Sequence, residues 1–394
     1  GARADQLRRA MGAKRSPERM EALKGDLMAG MEERGIDAPT RERIFEQLKG
    51  FADFGFPESH SFSFAHIVYA SSWLKVHAPE HFYAAILASH PMGFYSPATL
   101  VQDARRHGVR VTGPSVNDSL VDASVQRVGE NETGESYNPG RPESLPSRGT
   151  VALDVDRELA VRIGLSQVRG LGAAAKRIVD ARRQGAFTSQ ADLAQRAHVS
   201  ASAMEKLAMA GALECLGVGR REGAWAAGAL AQPLARGGQW QPFLPGTEVG
   251  SRVPKLPSLS EVERMRSDVA STGVTPGRHP FSYVRGSLPA SVLRAGELGQ
   301  HLAGRIVDVA GVVTHRQRPH TGGGITFLSL EDETGFVNVS VSVGAWKKFR
   351  RVCLESNALL VRGTLEWGDG AINVQAFQIA PVDLPIDVRS RDFR

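Results

Sequence analysis

The end of the chain constrains the fold most. After about Gly304, five runs rich in Val, Ile, Phe and Thr follow one another: Arg305–His315, Gly324–Asp332, Val337–Val343, Ala358–Trp367 and Ile372–Ile379. A helical stretch, Ala345–Leu354, sits between the third and the fourth. Side chains of these types favour the pleated, half-buried surface of a strand. Gly368-Asp369-Gly370 between the last two runs signals a tight hairpin. Five short strands with one helix before the fourth is the order of an OB barrel.

Upstream the period is helical. Leu7, Ala10, Met11 and Lys14 share one helical face, Ser16-Pro17-Glu18-Arg19 caps a new helix, and Met20, Leu23, Leu27 and Met31 repeat along it until Gly35. Further helices are expected from about Thr40 to Phe51 and from Ser63 to Leu87, the latter interrupted near Pro79. Val121–Val128 and Thr150–Val155 read as strands around a mobile loop, Gly129–Gly149, rich in Gly, Pro, Asn and Ser. Residues 158–217 form a compact helical unit, and residues 228–258, with five prolines, a linker.

The chain has 394 residues, 42% of them hydrophobic, enough for two to four domains with separate cores. Its net charge of +6 suits a polyanionic partner. Cys215 and Cys353 lie far apart with no ligands at metal spacing, which argues against a disulfide framework or a zinc site and fits a reducing cytoplasm. No apolar run approaches the ~20 residues of a membrane span, and the N-terminus has no apolar signal core. It reads as the middle of a helix, so the chain is expected to begin inside a larger protein.

Val168-Arg169-Gly170-Leu171-Gly172, followed by a helix that carries Lys176 and Arg177, reads as a helix-hairpin-helix. Gly170 and Gly172 let the backbone come close to a phosphate, and the helix N-terminus offers free N–H groups. Arg169, Lys176 and Arg177 add charge without reading base sequence. A second copy is expected around Ala210-Gly211-Ala212; for both, glycines that serve only packing are the bland alternative. On the barrel, Phe327 and Trp367 are candidate stacking platforms for bases. Arg316 and Arg318, expected in the loop between the first two strands, and Lys347, Lys348, Arg350 and Arg351 on the helix are candidate backbone contacts. Core packing for the aromatics and a solvated face for the charges stand as the alternative. Asp154-Val155-Asp156 has the form of a two-metal carboxylate pair, and His77 with His81 the spacing of a helical metal pair. Neither has a further ligand nearby, so both read as structural.

Residues 51–66 run Phe-Ala-Asp-Phe-Gly-Phe-Pro-Glu-Ser-His-Ser-Phe-Ser-Phe-Ala-His, continuing through Trp73-Leu74-Lys75-Val76-His77-Ala78-Pro79-Glu80-His81. This stretch resembles the fingers signature of the C-family DNA polymerases. Ala4–Gly12, Asp103–Val109, Gly164–Gly172, Gly273 with His279-Pro280, and Leu330–Gly335 resemble later segments of the same family, in the same order. Glu58 stands where replicative members usually carry lysine. That departure, with Pro91-Met92-Gly93-Phe94-Tyr95-Ser96-Pro97, resembles the damage-inducible, error-prone branch.

The resemblance implies a multidomain α+β chain. Its parts would be the C-terminal portion of the fingers over 1–115, a small β element over 116–157 and a tandem helix-hairpin-helix over 158–222. A linker and helical connector over 223–299, an OB-fold β-barrel over 300–383 and a tail over 384–394 would follow. The parent enzyme would add nucleotides to a primer by two-metal phosphoryl transfer, including opposite damaged template. Its Mg2+ ions would be held by a palm upstream, so no catalytic or metal-binding residue is expected in this chain, which alone would be inactive. Arg8 and Arg9 would hold the triphosphate of a deoxynucleoside triphosphate, with Lys14 and His60 as weaker candidates. Duplex and single-stranded DNA are the expected partners. Gln239, Phe243 and Leu244 stand where relatives carry a sliding-clamp peptide, to be reached directly or through an accessory translesion protein. Trp240 and Phe243 pinning the linker to the chain's own surface is the plainer reading. A non-catalytic DNA-binding accessory protein and a DNA ligase segment remain as alternatives; against the ligase, the barrel comes last and a four-cysteine site is lacking.

Overall fold

The structure, a computed structural model, describes residues 16–52, 58–128, 152–230, 254–319, 323–368, 371–386 and 390–393. It comprises two compact units, Gly1–Trp73 and Leu74–Arg394. The expected loop 129–149 and most of the expected linker lie outside the described residues.

In the first unit, α1 (Ser16–Glu32) and α2 (Ala38–Ala52) form a helical hairpin. Phe45 is fully buried against Leu23, Leu27, Met28 and Leu48, the face that the i, i+4 spacing marks out. Gly35, at φ +75°, makes the turn. Helix α3 (Glu58–His77) carries the division between the units. Pro79 interrupts the expected long helix by one residue and starts α4 (Pro79–Ala88), where its missing N–H is no loss.

The second unit opens with α4, α5 (Pro97–Arg106) and a sheet of β1 (Val111–Thr112), β2 (Ser124–Arg127) and β3 (Leu159–Arg162) in the order β1-β3-β2. Ser96 caps α5 by accepting the Thr99 N–H, and Tyr83, Val101, Ala104 and Val161 fill the core below. The strand expected at Thr150–Val155 is absent over its described part. Leu153 and Val155 do pack on the core, which explains their alternation, but the ladder forms only at β3.

Helices α6 (Ala174–Arg182), α7 (Gln190–Ala197), α8 (Ala201–Met209) and α9 (Arg220–Leu230) enclose a second core of Leu171, Ile178, Leu193, Met204, Leu207 and Leu213. Helix α10 (Glu261–Thr272) begins with a capping box between Ser260 and Glu263 and ends at Gly273, φ +78°. It lies across both hairpins of this helical unit. Ser267 donates to the Met209 carbonyl at 2.6 Å, and Asp268 takes the Arg220 guanidinium at 2.6 Å.

The barrel consists of β5 (Ile306–Gln317), β6 (Thr326–Glu331), β7 (Phe336–Val341), α11 (Val343–Glu355), β8 (Ala358–Gly368) and β9 (Ala371–Pro381). Strands pair β5-β6-β7-β9-β8, and β8 returns to β5, so the barrel closes. Among the pairings of these five strands, β7 with β9 is the parallel one. Val309, Val313, Leu328, Val339, Val361 and Val374 point inward, and α11 plugs one end with Trp346 and Cys353. Gly311 is needed where β5 crosses β6, because a β-carbon there would lie 2.8 Å from the Glu331 carbonyl oxygen. β4 (Val292–Leu293) and β10 (Arg391–Phe393) add parallel pairings to β5. The expected tail over 384–394 thus contributes a strand.

The β6–β7 turn ties the barrel to its surroundings. Glu331 is buried and accepts from Arg106 at 2.9 Å and Thr99 at 3.3 Å on α5. Asp332 accepts the Ala295 N–H and the Arg285 guanidinium, each at 2.8 Å, and Glu333 takes Arg285 at 2.8 Å and Arg294 at 3.3 Å.

Candidate nucleic-acid interface

The Val168–Gly172 hairpin presents open donors. Gly170 and Gly172, just ahead of α6, adopt φ +72° and +52°, a backbone region that glycine enters without strain. Among the described residues, the amides of Gly170, Gly172 and Ala173 donate to no protein acceptor. All three residues are exposed. Lys176 is exposed one turn into α6. The other two expected cations are partly occupied. Arg169 donates its backbone N–H to Ser271 at 2.8 Å and its guanidinium to Ala270 at 3.0 Å, at the end of α10. Arg177 reaches the carbonyls of Ala197 and His198 at 3.2 and 3.4 Å, closing the end of α7. One cation was not foreseen: Lys206, on α8, places its ammonium beside Gly170. Only the fold brings α8 to the first hairpin, so local spacing carried no signal for it.

The second hairpin differs. Gly211 has φ +77°, but it is buried, and its amide and that of Ala212 donate to Ala208 and Leu207 at 3.0 and 2.9 Å. Arg220 fills the space over Gly211 and is itself held by Asp268 and Glu214. This turn is a seat for α10.

On the barrel, Phe327 stands on the outer face of β6 with 40% of its surface exposed. Its register partners are Gln317 and Ser340. Arg318 follows Gln317 and stacks its guanidinium 5.7 Å from the Trp346 ring, and the next residue on α11 is the exposed Lys347. Phe327, Arg318 and Lys347 thus gather at one end of the barrel. Phe377, on β9, is a further exposed aromatic. Trp367 is half-buried opposite Ile372. Arg316 requires a correction. It lies within β5, not in a loop, because the ladder with β6 continues past it, and its buried guanidinium is bound by the carbonyls of Cys353 and Ser356 at 2.6 and 2.7 Å and by Asp392. It is committed to the fold and out of reach of a nucleic acid.

His60 is exposed on α3, its ring centroid 4.4 Å from that of Phe64 and tilted 52° to it. Arg8, Arg9 and Lys14 lie outside the described residues, as do Gln239, Phe243 and Leu244. Asp154 accepts His77 at 2.6 Å, and Asp156 accepts the Glu158 N–H. Among the described residues no three His, Cys, Asp or Glu side chains gather to hold a metal ion. No described helix is long and apolar enough to cross a membrane.

Comparison with known proteins agrees with this geometry. Residues 108–223 match the family described as a helix-hairpin-helix motif, and residues 307–382 the family described as an OB-fold nucleic acid binding domain. Over its whole length the chain is similar to proteins named error-prone DNA polymerase. The one from Mycobacterium bovis is 45% identical over 397 residues, covering 100% of this chain and 33% of its own. That from Cutibacterium acnes is 43% identical, covering 99% of this chain and 35% of its own, and that from Corynebacterium glutamicum is 41% identical, covering 100% and 34%. The chain thus spans about a third of the length of the curated relatives it matches. Among solved structures, asparaginyl-tRNA synthetase from Pyrococcus horikoshii overlaps 24% of this chain and 24% of its own, at 20% identity and a TM-score of 0.22.

Proposed function

We propose that this chain, aligned throughout with error-prone DNA polymerases, is the part of such an enzyme that grips DNA while damaged template is copied. The observation that carries the reading is the first hairpin, where the amides of Gly170, Gly172 and Ala173 donate to no protein acceptor among the described residues, in a chain of that kinship. Amides of this kind, beside Lys176, suit phosphate oxygens and are indifferent to base sequence, as a polymerase requires. The barrel takes the single-stranded template, with Phe327 stacking on a base and Arg318 and Lys347 beside the backbone.

Catalysis belongs to other parts of the parent enzyme, and so do its Mg2+ ions; Asp154 and Asp156 are engaged elsewhere. Arg8 and Arg9, supported by Lys14 and His60, hold the triphosphate of the incoming nucleotide. Guanidinium forks match phosphate oxygens in pairs. The sliding clamp is reached through an accessory protein, since Pro242 interrupts the Gln239–Leu244 segment where a leucine is usual.

Primer extension tests the reading. With magnesium and all four nucleotides, the full-length enzyme extends a primer past a lesion, and this chain alone extends nothing. Extension by the chain alone would sink the proposal. In the full-length enzyme, Arg8→Ala or Arg9→Ala raises the KM for nucleotide roughly tenfold or more, the scale of one charge-assisted hydrogen bond. If both leave nucleotide kinetics unchanged, neither arginine holds the triphosphate.

A further inference from the structure

We propose that Lys206 completes the phosphate cradle of the first hairpin, so that the tandem unit holds the DNA backbone at one composite site and not at two equivalent ones. The proposal rests on the DNA-gripping reading above and adds to it a residue and a number of sites.

Lys206 belongs to α8, the helix that leads into the second hairpin, yet its side chain lies over the first. A β-carbon on Gly170 would fall 2.5 Å from Lys206 Nζ and 3.3 Å from Cε. The bare α-carbon of Gly170 therefore does two things. It permits φ +72°, and it leaves the volume that the lysine occupies. Among the described residues the Lys206 ammonium pairs with no carboxylate. It is half-buried beside Gly170, whose amide, like those of Gly172 and Ala173, donates to no acceptor among the described residues. Open amides and a positive charge thus lie at the same hairpin, and among the described residues no protein anion pairs with the ammonium. A backbone phosphate supplies oxygens for the amides and charge for the ammonium together.

The second hairpin has the same glycine and none of the same chemistry. The amides of Gly211 and Ala212 are used inside the turn. The volume over Gly211 is filled by Arg220, whose side chain is 9% exposed and bound to Asp268 at 2.6 Å and Glu214 at 2.9 Å. Ser267 caps the Met209 carbonyl from α10. The second hairpin thus contributes to binding through Lys206 alone, while its turn carries α10.

The test is the affinity of the full 394-residue chain for a short mixed-sequence DNA duplex, measured across sodium chloride concentrations. Removing one cation from a phosphate flattens the plot of log affinity against log salt by about one unit. Lys206→Ala and Lys206→Gln should each do so and weaken binding several-fold at low salt, and Lys206→Arg should restore both. Arg221→Ala, which removes a cation from the start of α9 at the second hairpin, should leave the slope unchanged. Thermal melts of the lysine variants should match the parent chain, since among the described residues the ammonium holds no carboxylate. If Lys176→Ala flattens the slope and both neutral Lys206 variants keep it, the composite cradle is wrong and the DNA reading stands. A change of about one unit for Arg221→Ala restores a second site and overturns the single-site claim. No duplex binding by the parent chain overturns the DNA reading itself.

Discussion

His279 offers the sharpest test of how the connector is built. It caps the turn Pro280–Tyr283, its Nδ1 accepting the Phe281 N–H at 3.2 Å, and Phe281 below it is fully buried. Burial, with the positive charges of Arg106 and Arg285 nearby, pushes the imidazole down to about 3 from its usual 6.5. Above pH 6.5 the ring is neutral in both folded and unfolded chains, and its contribution is fully present. As pH falls from 6.5 toward 3, the unfolded chain takes up a proton that the folded chain refuses, and stability is lost. Between pH 7 and pH 5 the loss is about 2 kcal/mol, at about 1.4 kcal/mol per unit once below 6.5. His279→Asn keeps an acceptor for the Phe281 N–H and removes the titration. Urea unfolding at both pH values, followed by tryptophan fluorescence, should show the parent chain losing ~2 kcal/mol more than the variant on acidification. Parallel losses would mean that the imidazole is accessible to protons, and the argument from burial would fail.

Two further outcomes are expected. Phe327→Ala should weaken binding of a single-stranded oligonucleotide by the full chain by ~1–3 kcal/mol without lowering the melting temperature, because the ring is 40% exposed; a lower melting temperature with unchanged affinity would make Phe327 a packing residue. Calorimetry of a peptide of residues 236–248 against the sliding clamp should show no binding, and binding abolished by Phe243→Ala would instead establish direct contact.

What the sequence disclosed followed from how local its cause was. The barrel strands and α11 were legible because alternation and helical spacing are properties of neighbouring residues. Gly368 indeed pairs with Ala371 across the hairpin that the glycines announced. Leu153 and Val155 misled for the same reason: they alternate and pack, but among the described residues no strand pairs with them. Arg316 looked like a loop cation, since only the distant ladder with β6 and the carbonyls of Cys353 and Ser356 reveal it as buried. β10 is three residues of mixed polarity that extend alongside β5, far away in the sequence. At the hairpin, Gly170, Gly172 and Lys176 were readable from spacing. Lys206 was not, because 36 residues separate it from the glycine it covers. The contacts that tie the second hairpin to α10 come from further along still.

The turn between β6 and β7 bears on how the second unit comes apart. Three consecutive carboxylates there grasp three separate stretches: Arg106 and Thr99 through Glu331, Arg285 through Asp332, and Arg294 through Glu333. Each is a buried or half-buried charge whose release leaves a partner uncompensated, the costly kind of loss. The turn itself cannot open without disturbing all three stretches. The barrel, the connector before it and α5 are bound into one cooperative block, in which slow hydrogen exchange should extend from the barrel strands into a helix more than 200 residues away in the chain.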